Sequence, residues 1–166
     1  MNLQYLGRRQ KVAEILSHSA EETERIGSEL AQCLTIPGVV FLRGALGTGK
    51  TTLTRGIARG LGVEDYHQVN SPSFTIVNIY HGICPIYHVD LYRLQVPRDL
   101  LSIGLDDFLG TDGVTVVEWG EKIQHYTGSF VQVEIKDLGD DLRMLHIKFP
   151  ERYKRSRRKS RARPLQ

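Results

Sequence analysis

The chain has 166 residues, 40% of them hydrophobic, which fits one domain with a packed core. No stretch of about 18 apolar residues is present, and the first residues, MNLQYLGRRQ, lack the apolar centre of a secretion signal, so we expect a cytoplasmic protein without membrane contact. Two cysteines, Cys33 and Cys84, are too few for a disulfide framework, and reduced thiols are expected.

Positive charge is concentrated at the C-terminal end. The chain carries 22 Lys and Arg against 19 Asp and Glu, and residues 151–166 hold eight of the basic residues and one Glu. Residues 1–150, predicted to form the single folded domain, are therefore mildly acidic. Two interpretations of the tail stay open, because a run of like charge is usually disordered and solvated but also suits contact with nucleic-acid phosphates.

The first predicted elements are a strand and a capped helix. The strand is predicted over residues 12–16. Ser19 and Glu22 then have the spacing of a capping box, which marks the start of a helix. One face of that helix is apolar, which predicts that it packs in the core. The residues of this face are Ile26, Leu30, Cys33 and Leu34.

The strongest motif is a phosphate-binding loop, Gly44-Ala-Leu-Gly-Thr-Gly49-Lys50-Thr51, which matches G-x-x-x-x-G-K-[ST]. An apolar run over residues 39–42 precedes it and is predicted to be a strand. Apolar residues at helical spacing follow it over residues 51–61, before a glycine stop. Strand, glycine-rich loop and helix are the context that this motif requires, so the sequence predicts a site for a nucleoside triphosphate.

The residue types of the loop indicate how it would bind. Glycines let backbone N–H groups point at phosphates, and the helix N-terminus adds a positive partial charge. Lys50 is predicted to reach the β and γ phosphates, and the Thr51 hydroxyl to ligate Mg²⁺. Thr52 is either a further contact or a helix-start residue without a ligand. The predicted nucleotide-binding residues are Gly44, Leu46, Gly47, Thr48, Gly49, Lys50, Thr51 and Thr52.

Two β-rich segments follow the helix, at residues 74–80 and 86–92. Only five residues separate them, which predicts an antiparallel hairpin and therefore a mixed sheet. The apolar face of the second segment is expected to pack, so that Asp90 on the other face can point at a site. His81 and His88 flank this turn together with Cys84, but the three lack zinc-site spacing, and we do not predict a metal cluster.

The remaining segments complete the sheet. Residues 100–109 are predicted as short helical pieces with a solvated acidic edge. A buried strand follows over residues 114–117 and ends at Glu118. An apolar strand with an acidic tip is typical of the second half of a phosphate-loop site, where a carboxylate orients metal or water. An ordinary strand-end residue is the alternative. A last hairpin is predicted from residues 131–135 and 144–149.

Four blocks in this order resemble the TsaE (YjeE) family of bacterial tRNA threonylcarbamoyladenosine synthesis: GALGTGKTTLTRGIARGLG, SPSFTIVNIY, YHVDLYRL and VVEWGEK. The resemblance covers most of residues 19–149. It implies a small P-loop NTPase-like α/β fold with three layers and a mixed sheet containing antiparallel hairpins. It also implies binding of ATP and Mg²⁺, slow ATPase activity, and action with the TsaB–TsaD complex. That complex modifies adenosine beside the anticodon of tRNAs reading codons that start with adenine.

The resemblance also assigns roles to single residues. Lys50 and Thr51 match the family's phosphate and metal residues, and Lys50 is a candidate for catalysis. Asp90 matches the Mg²⁺ contact of the H-x-D-L-Y-R-L block. Glu118 and Trp119 match an acidic–tryptophan pair, in which Glu118 is the candidate for catalysis and for Mg²⁺.

The switch-like features of the family map onto two further places. The block beginning Ser71-Pro-Ser73 matches a loop likened to a GTPase switch, so Ser71, Ser73 and Trp119 are candidate switch or partner contacts. Strand alternation predicts that the Trp119 indole points away from the Glu118 side, and core packing is the alternative to a partner or nucleotide contact. Ala45 stands where the family usually has Asp, which leaves hydrolysis less well predicted than binding.

Other classes of protein share the phosphate loop. A small-molecule kinase needs an acceptor pocket and an Arg-bearing lid, and the predicted hairpin occupies the place of its substrate-binding helices. A GTPase needs a guanine-reading Asn-Lys-x-Asp sequence, which this chain lacks. A nucleotide-gated assembly factor, in which hydrolysis only resets a partner complex, overlaps with the family role. The tRNA is expected to be reached through TsaB–TsaD, with the basic tail as a candidate direct contact.

Overall fold

The computed structural model describes residues 12–94 and 104–151. Two helices, α1 (Ala20–Ala31) and α2 (Lys50–Gly60), pack on one sheet. Single turns of 3-10 helix lie at Tyr66–Gln68, Leu105–Asp107 and Gly120–Lys122. The seven strands are β1 (Val12–Ser17), β2 (Gly38–Arg43), β3 (Val77–His81), β4 (Pro85–Asp90), β5 (Val114–Glu118), β6 (Val131–Gly139) and β7 (Leu142–Lys148).

The sheet is mixed, with the spatial order β1-β7-β6-β2-β5-β4-β3. Strand β2 is central and pairs in parallel with β5 and β6, and β5 pairs in parallel with β4. Two antiparallel hairpins, β3–β4 and β6–β7, lie on either side of β2 and β5. Strand β3 forms one edge of the sheet, and β1, paired with β7, forms the other. The predicted α/β class and mixed sheet are therefore confirmed. The carboxyl ends of the parallel strands meet at one edge, which is where α/β proteins bind ligands.

Helix α1 is capped by Ser19, whose hydroxyl accepts the Glu22 N–H at 3.1 Å. The Glu22 carboxylate accepts from the His18 N–H at 2.9 Å, so the cap is a shifted form of the predicted capping box. The two helices meet through glycines. A Cβ built on Gly56 would lie 2.0 Å from the carbonyl oxygen of Glu24, so the helix backbones touch where they cross.

Two apolar clusters cover the two faces of the sheet. The larger lies under the helices and joins Ile26 and Leu30 of α1 to Leu53 and Ile57 of α2. The predicted apolar face of α1 is thus confirmed as core. The smaller cluster lies on the opposite face, where loops and short turns cover Val39, Phe41, Val89, Leu91, Leu105 and Val117. Both faces of the sheet are therefore packed next to the edge where the parallel strands end.

The first strand of the β3–β4 hairpin is shorter than predicted. It begins at Val77, while Phe74 lies in a turn with 84% of its surface exposed, and Ile76 has a φ of 67°. The left-handed conformation of Ile76 breaks the extended chain, so residues 74–76 lie outside β3, although the Ile76 carbonyl oxygen accepts the Asp90 N–H at 2.9 Å. The prediction of a strand over residues 74–80 is therefore wrong for its first three residues.

Both faces of strand β4 are covered. Ile86 and His88 are fully buried, as is Val89 on the other face. Because β4 lies between β3 and β5, it is an internal strand with both faces covered. The apolar face packs as predicted. The other face is covered as well, and Asp90 reaches the site as the last residue of the strand.

Other predicted elements are confirmed with adjusted ends. The last hairpin is longer than predicted, and Glu118 ends β5 as expected. Asp106 and Asp107 are exposed in a single 3-10 turn. Residues 100–103 and the basic tail beyond Glu151 lie outside the described residues. Neither helix of the described part of the chain has the length and apolar content needed to cross a membrane.

Candidate nucleotide site

The phosphate loop connects the end of β2 to the start of α2. Gly44, Gly47 and Gly49 have φ values of 143°, 80° and 103°, which side-chain-bearing residues rarely adopt. The Thr48 hydroxyl donates to the carbonyl oxygen of Ala45 at 3.0 Å and closes the loop on itself. Helix α2 begins at Lys50 without a side-chain cap, so its first N–H groups are available to an anion.

Lys50 is the buried cation of the loop. Its ammonium donates to the carbonyl oxygens of Gly44 and Ala45 at 2.8 and 2.7 Å. Burial lowers the pKa of Lys50 below its ordinary value, and the charges of Glu118, Glu121 and Asp90 oppose part of that shift. The lysine therefore sits in acidic surroundings at the point where phosphates would enter.

Trp119 faces Lys50 rather than the opposite side. The Lys50 ammonium lies 4.1 Å from the centroid of the indole, within cation–π range. Trp119 has a φ of 61°, and this left-handed conformation directly after β5 ends the strand alternation. The prediction that the indole points away from the site is therefore wrong. Tyr92 stacks on the same ring at a centroid distance of 5.2 Å, so the indole is half-buried beside the loop.

Glu118 and Thr51 meet across the sheet edge. The Thr51 hydroxyl donates to Oε1 of Glu118 at 2.8 Å, although 67 residues separate them in the chain. The contact follows from the parallel pairing of β2 with β5, in which Leu42 is opposite Glu118. Glu118 is 3% exposed, and its carboxylate also contacts His88. A hydroxyl and a carboxylate thus converge next to Lys50.

Asp90 lies beside Glu118, because the two residues are paired across β4 and β5. Its Oδ2 accepts hydrogen bonds from the hydroxyls of Ser71 and Ser73, the second at 3.1 Å. Its Oδ1 accepts the N–H of Tyr92 at 2.9 Å. The carboxylate therefore ties the loop at residues 71–74, here named the serine loop, to the end of β4.

The family profile described as "Threonylcarbamoyl adenosine biosynthesis protein TsaE" matches residues 17–148. The matched segment contains the phosphate loop, both carboxylates, Trp119 and the serine loop. The chain belongs to the TsaE family. The resemblance inferred from the four sequence blocks is thereby confirmed.

Individual TsaE relatives match over most of their length. A "tRNA threonylcarbamoyladenosine biosynthesis protein TsaE" of Treponema pallidum is 36% identical over 133 residues, 80% of this chain and 97% of the relative. The protein of the same name from Bacillus subtilis is 42% identical over 126 residues, 74% of this chain and 77% of the relative. The crystal structure of Bacillus subtilis YdiB superposes with a TM-score of 0.67 at 34% identity, covering 89% of this chain and 92% of that one. This similarity confirms the P-loop NTPase-like α/β fold.

The fold of this TsaE chain brings the predicted site residues to one edge of the sheet. Lys50 contacts Trp119, and Thr51 contacts Glu118, while the serine loop reaches the site through Asp90. Two predicted residues are less well placed. Leu46 is 71% exposed at the tip of the loop, and Thr52 lies half-buried in the first turn of α2, which fits both of its interpretations.

Sequence reasoning missed three neighbours of the TsaE site. His88 bonds to Glu118, and its position on the same strand face as Asp90 was the available signal. The Lys122 ammonium donates to the carbonyl oxygens of residues 91, 92 and 94 at 2.7–2.8 Å, and its signal was its place in the VVEWGEK block. Arg143 packs against the phosphate loop, since a Cβ built on Gly49 would lie 3.4 Å from its Cδ and Nε. No local pattern marks Arg143.

Trp119 is the single tryptophan of the chain, so tryptophan emission reports on this contact. Phosphates that draw the Lys50 ammonium towards them would change a charge 4.1 Å from the ring centroid. We expect ATP to alter the emission intensity in a saturable titration, whereas adenosine, which has no phosphates, should leave it unchanged. Constant emission at ATP concentrations shown by calorimetry to be saturating would contradict this arrangement.

Proposed function

We propose that this chain is a Mg²⁺-dependent ATP-binding protein and slow ATPase that serves tRNA threonylcarbamoyladenosine formation in the cytoplasm. The observation that carries the proposal is the contact between the Thr51 hydroxyl and Glu118 at 2.8 Å. It joins the hydroxyl that follows a phosphate-loop lysine to a carboxylate at a strand tip, which is the arrangement of phosphoryl-transfer sites. The biological role extends to this chain what the names of its relatives state of them.

The phosphates of ATP would be bound by the loop. Backbone N–H groups of residues 47–51 would face the β and γ phosphates at the start of α2. Lys50 would exchange its two carbonyl acceptors, at 2.8 and 2.7 Å, for phosphate oxygens. We propose ATP rather than GTP because the sequence has no Asn-Lys-x-Asp guanine reader.

The donors at the sheet edge fit Mg²⁺. Mg²⁺ prefers hard oxygen ligands, takes few of them from protein and keeps several waters. Thr51 and Glu118 supply a hydroxyl and a carboxylate oxygen in mutual contact, and Asp90 adds a second carboxylate on the neighbouring strand. Thr51 would hold the ion directly, with Glu118 and Asp90 as its acidic partners. When bound, Mg²⁺ supplies neutralisation of the phosphate charge.

Hydrolysis would depend on Glu118. A carboxylate at the tip of β5 can orient a water molecule for attack on the γ phosphate and accept its proton. We propose that the isolated chain is slow because Lys50 is held by the loop carbonyls, and these hydrogen bonds must be exchanged for phosphate oxygens before reaction.

The serine loop is the proposed link to the TsaB–TsaD complex. Its Ser71 and Ser73 hydroxyls bond to Asp90, while Phe74 in the same loop is 84% exposed. The Arg93 guanidinium lies 4.2 Å from the centroid of the Phe74 ring. Phe74 and Arg93 therefore lie on the outer side of the serine loop, and the inner side of the loop contacts Asp90, a carboxylate of the proposed metal site. Through this loop the partner complex, and tRNA held by it, would sense the nucleotide; residues 151–166 are a second candidate for tRNA contact.

Asp90→Asn is expected to reduce Mg²⁺-dependent hydrolysis by about an order of magnitude or more while metal-free nucleotide affinity changes little. The amide keeps the shape and one acceptor oxygen for the serine loop but removes a charge beside Glu118. Steady-state ATPase assays at varied Mg²⁺ and calorimetry in EDTA measure the two effects. Asp106→Asn, an exposed acid on a 3-10 turn, is the control. Equal losses in both assays would make Asp90 a structural residue.

The test of the proposed function compares ATP hydrolysis by the chain alone, with TsaB–TsaD, and with TsaB–TsaD and tRNA. We expect slow hydrolysis alone, stimulation by the complex, and threonylcarbamoyladenosine formation that requires this chain. Hydrolysis unaffected by the complex, together with normal tRNA modification in its absence, would overturn the proposal. Phosphate transfer to a sugar or nucleoside acceptor would instead support a small-molecule kinase.

A further inference from the structure

A fully buried histidine lies behind the carboxylate of the site. His88, in the middle of β4, is 0% exposed, and its Nε2 lies 2.8 Å from Oε1 of Glu118. It would touch neither the phosphates nor the metal in the proposed function. Among the described residues, the hydrogen-bond partner of its ring is Glu118, the group on which hydrolysis would depend.

The hydrogen-bond pattern decides which ring nitrogen carries the proton. Oε1 of Glu118 already accepts from the Thr51 hydroxyl, and a carboxylate oxygen only accepts, so Nε2 of His88 is the donor. The other nitrogen, Nδ1, is buried and has no hydrogen-bond partner within residues 12–94 and 104–151. The hydrogen bond that the imidazole makes in the described structure therefore goes to Glu118.

The sheet register explains why the ring reaches the carboxylate. His88 is opposite Val116 in the parallel β4–β5 pair, and Glu118 is the next residue on the same face of β5. Behind the ring, Tyr80 of β3 lies at a centroid distance of 6.4 Å. The imidazole is enclosed by two neighbouring strands, and its donor is directed along the sheet towards the site edge.

We propose that His88 is a positioning residue for Glu118, an inference that rests on the function proposed above. Two donors from different elements, Thr51 of α2 and His88 of β4, converge on Oε1 and fix the rotation of the carboxylate. The second oxygen, Oε2, is then the one presented to water and metal. Groups that orient an acidic ligand in this way influence metal affinity and rate more than they influence nucleotide affinity.

The amides Gln and Asn provide a matched pair of variants. In His88→Gln, the side-chain nitrogen reaches the place of Nε2 and can donate to Glu118. In His88→Asn, the nitrogen reaches only the place of Nδ1, and in His88→Leu the donor is lost. We expect the Asn and Leu variants to lose roughly 10- to 100-fold in kcat and to need more Mg²⁺ for half-maximal rate, with the Gln variant close to the unmodified chain. Metal-free ATP affinity should be similar in all three.

Two measurements do not depend on hydrolysis. Thermal melting checks that the variants are folded, and if the Leu variant does not fold, the Gln and Asn variants still make the comparison. Proton–nitrogen spectra of the ¹⁵N-histidine-labelled chain should show an Nε2 proton signal that is absent in His88→Gln and shifted in Glu118→Gln.

The outcomes separate the two proposals. No hydrolysis by the unmodified chain, alone or with its partners, would count against the proposed function. Hydrolysis in the unmodified chain, with equal kcat and Mg²⁺ requirement in the Gln, Asn and Leu variants, would overturn only the positioning role. A Gln variant as impaired as the Leu variant, or losses that follow the melting temperature alone, would also overturn it, because a structural role would then suffice.

Discussion

Lys50→Met is expected to raise the dissociation constant for ATP by an order of magnitude or more. The ammonium is the buried cation within the phosphate loop, and a hydrogen bond to a charged group contributes about 1.5–3 kcal/mol. Methionine keeps an aliphatic stem of similar length beside Trp119, so the change removes the charge rather than the packing. Calorimetric titration with ATP measures the effect.

The control for this experiment is Lys136→Met, which removes an exposed lysine from β6. The melting temperature is measured alongside, because Lys50→Met also removes the hydrogen bonds from the ammonium to Gly44 and Ala45. An unchanged ATP affinity in a folded Lys50→Met protein would show that Lys50 does not bind phosphate. The assignment of the loop as the phosphate site would then be wrong.

Glu118→Gln is expected to retain ATP binding and to lower the hydrolysis rate by roughly 10²- to 10⁴-fold, the range for loss of a general base. The amide oxygen can still accept from Thr51 and His88, so the local hydrogen bonds survive. The amide cannot accept the proton of an attacking water. Single-turnover hydrolysis and calorimetry separate the two effects.

Glu121→Gln is the matched control. Glu121 is an exposed acid three residues further along, and its charge, like that of Glu118, opposes the lowering of the Lys50 pKa. Its hydrolysis rate should be close to that of the unmodified chain. Loss of a similar size in both variants would mean that the general acidity of the surface, and not the carboxylate bonded to Thr51, supports the reaction.

The parts of the site that sequence could predict are those built from local patterns. Glycine spacing, an apolar run and a helical repeat lie within one continuous stretch, so the phosphate loop, β2 and α2 were predictable with their chemistry. Glu118 was predictable as a strand tip, because the apolar run over residues 114–117 is typical of an internal strand. In each case the information lies within a few residues.

The parts that sequence could not predict depend on tertiary contacts or on unusual backbone. Trp119 and Ile76 are non-glycine residues with positive φ, and no pattern of side chains in the sequence predicts that conformation. The bond between His88 and Glu118 requires the register of two strands 30 residues apart. Arg143 reaches Gly49 only after the last hairpin has joined the sheet. Periodicity identifies the face of a residue but not its partner on that face.

The contact of α1 with α2 through glycines has a mechanical consequence for the nucleotide site. Because the helix backbones already touch at Gly56 and Gly27, α2 cannot advance towards α1 or turn about its axis without a clash. The phosphate loop is continuous with α2 and is anchored with it. The serine loop, in contrast, is attached to the site by two hydroxyl hydrogen bonds to Asp90. We therefore propose that a change of nucleotide state displaces that loop, with the helix pair as the stationary frame.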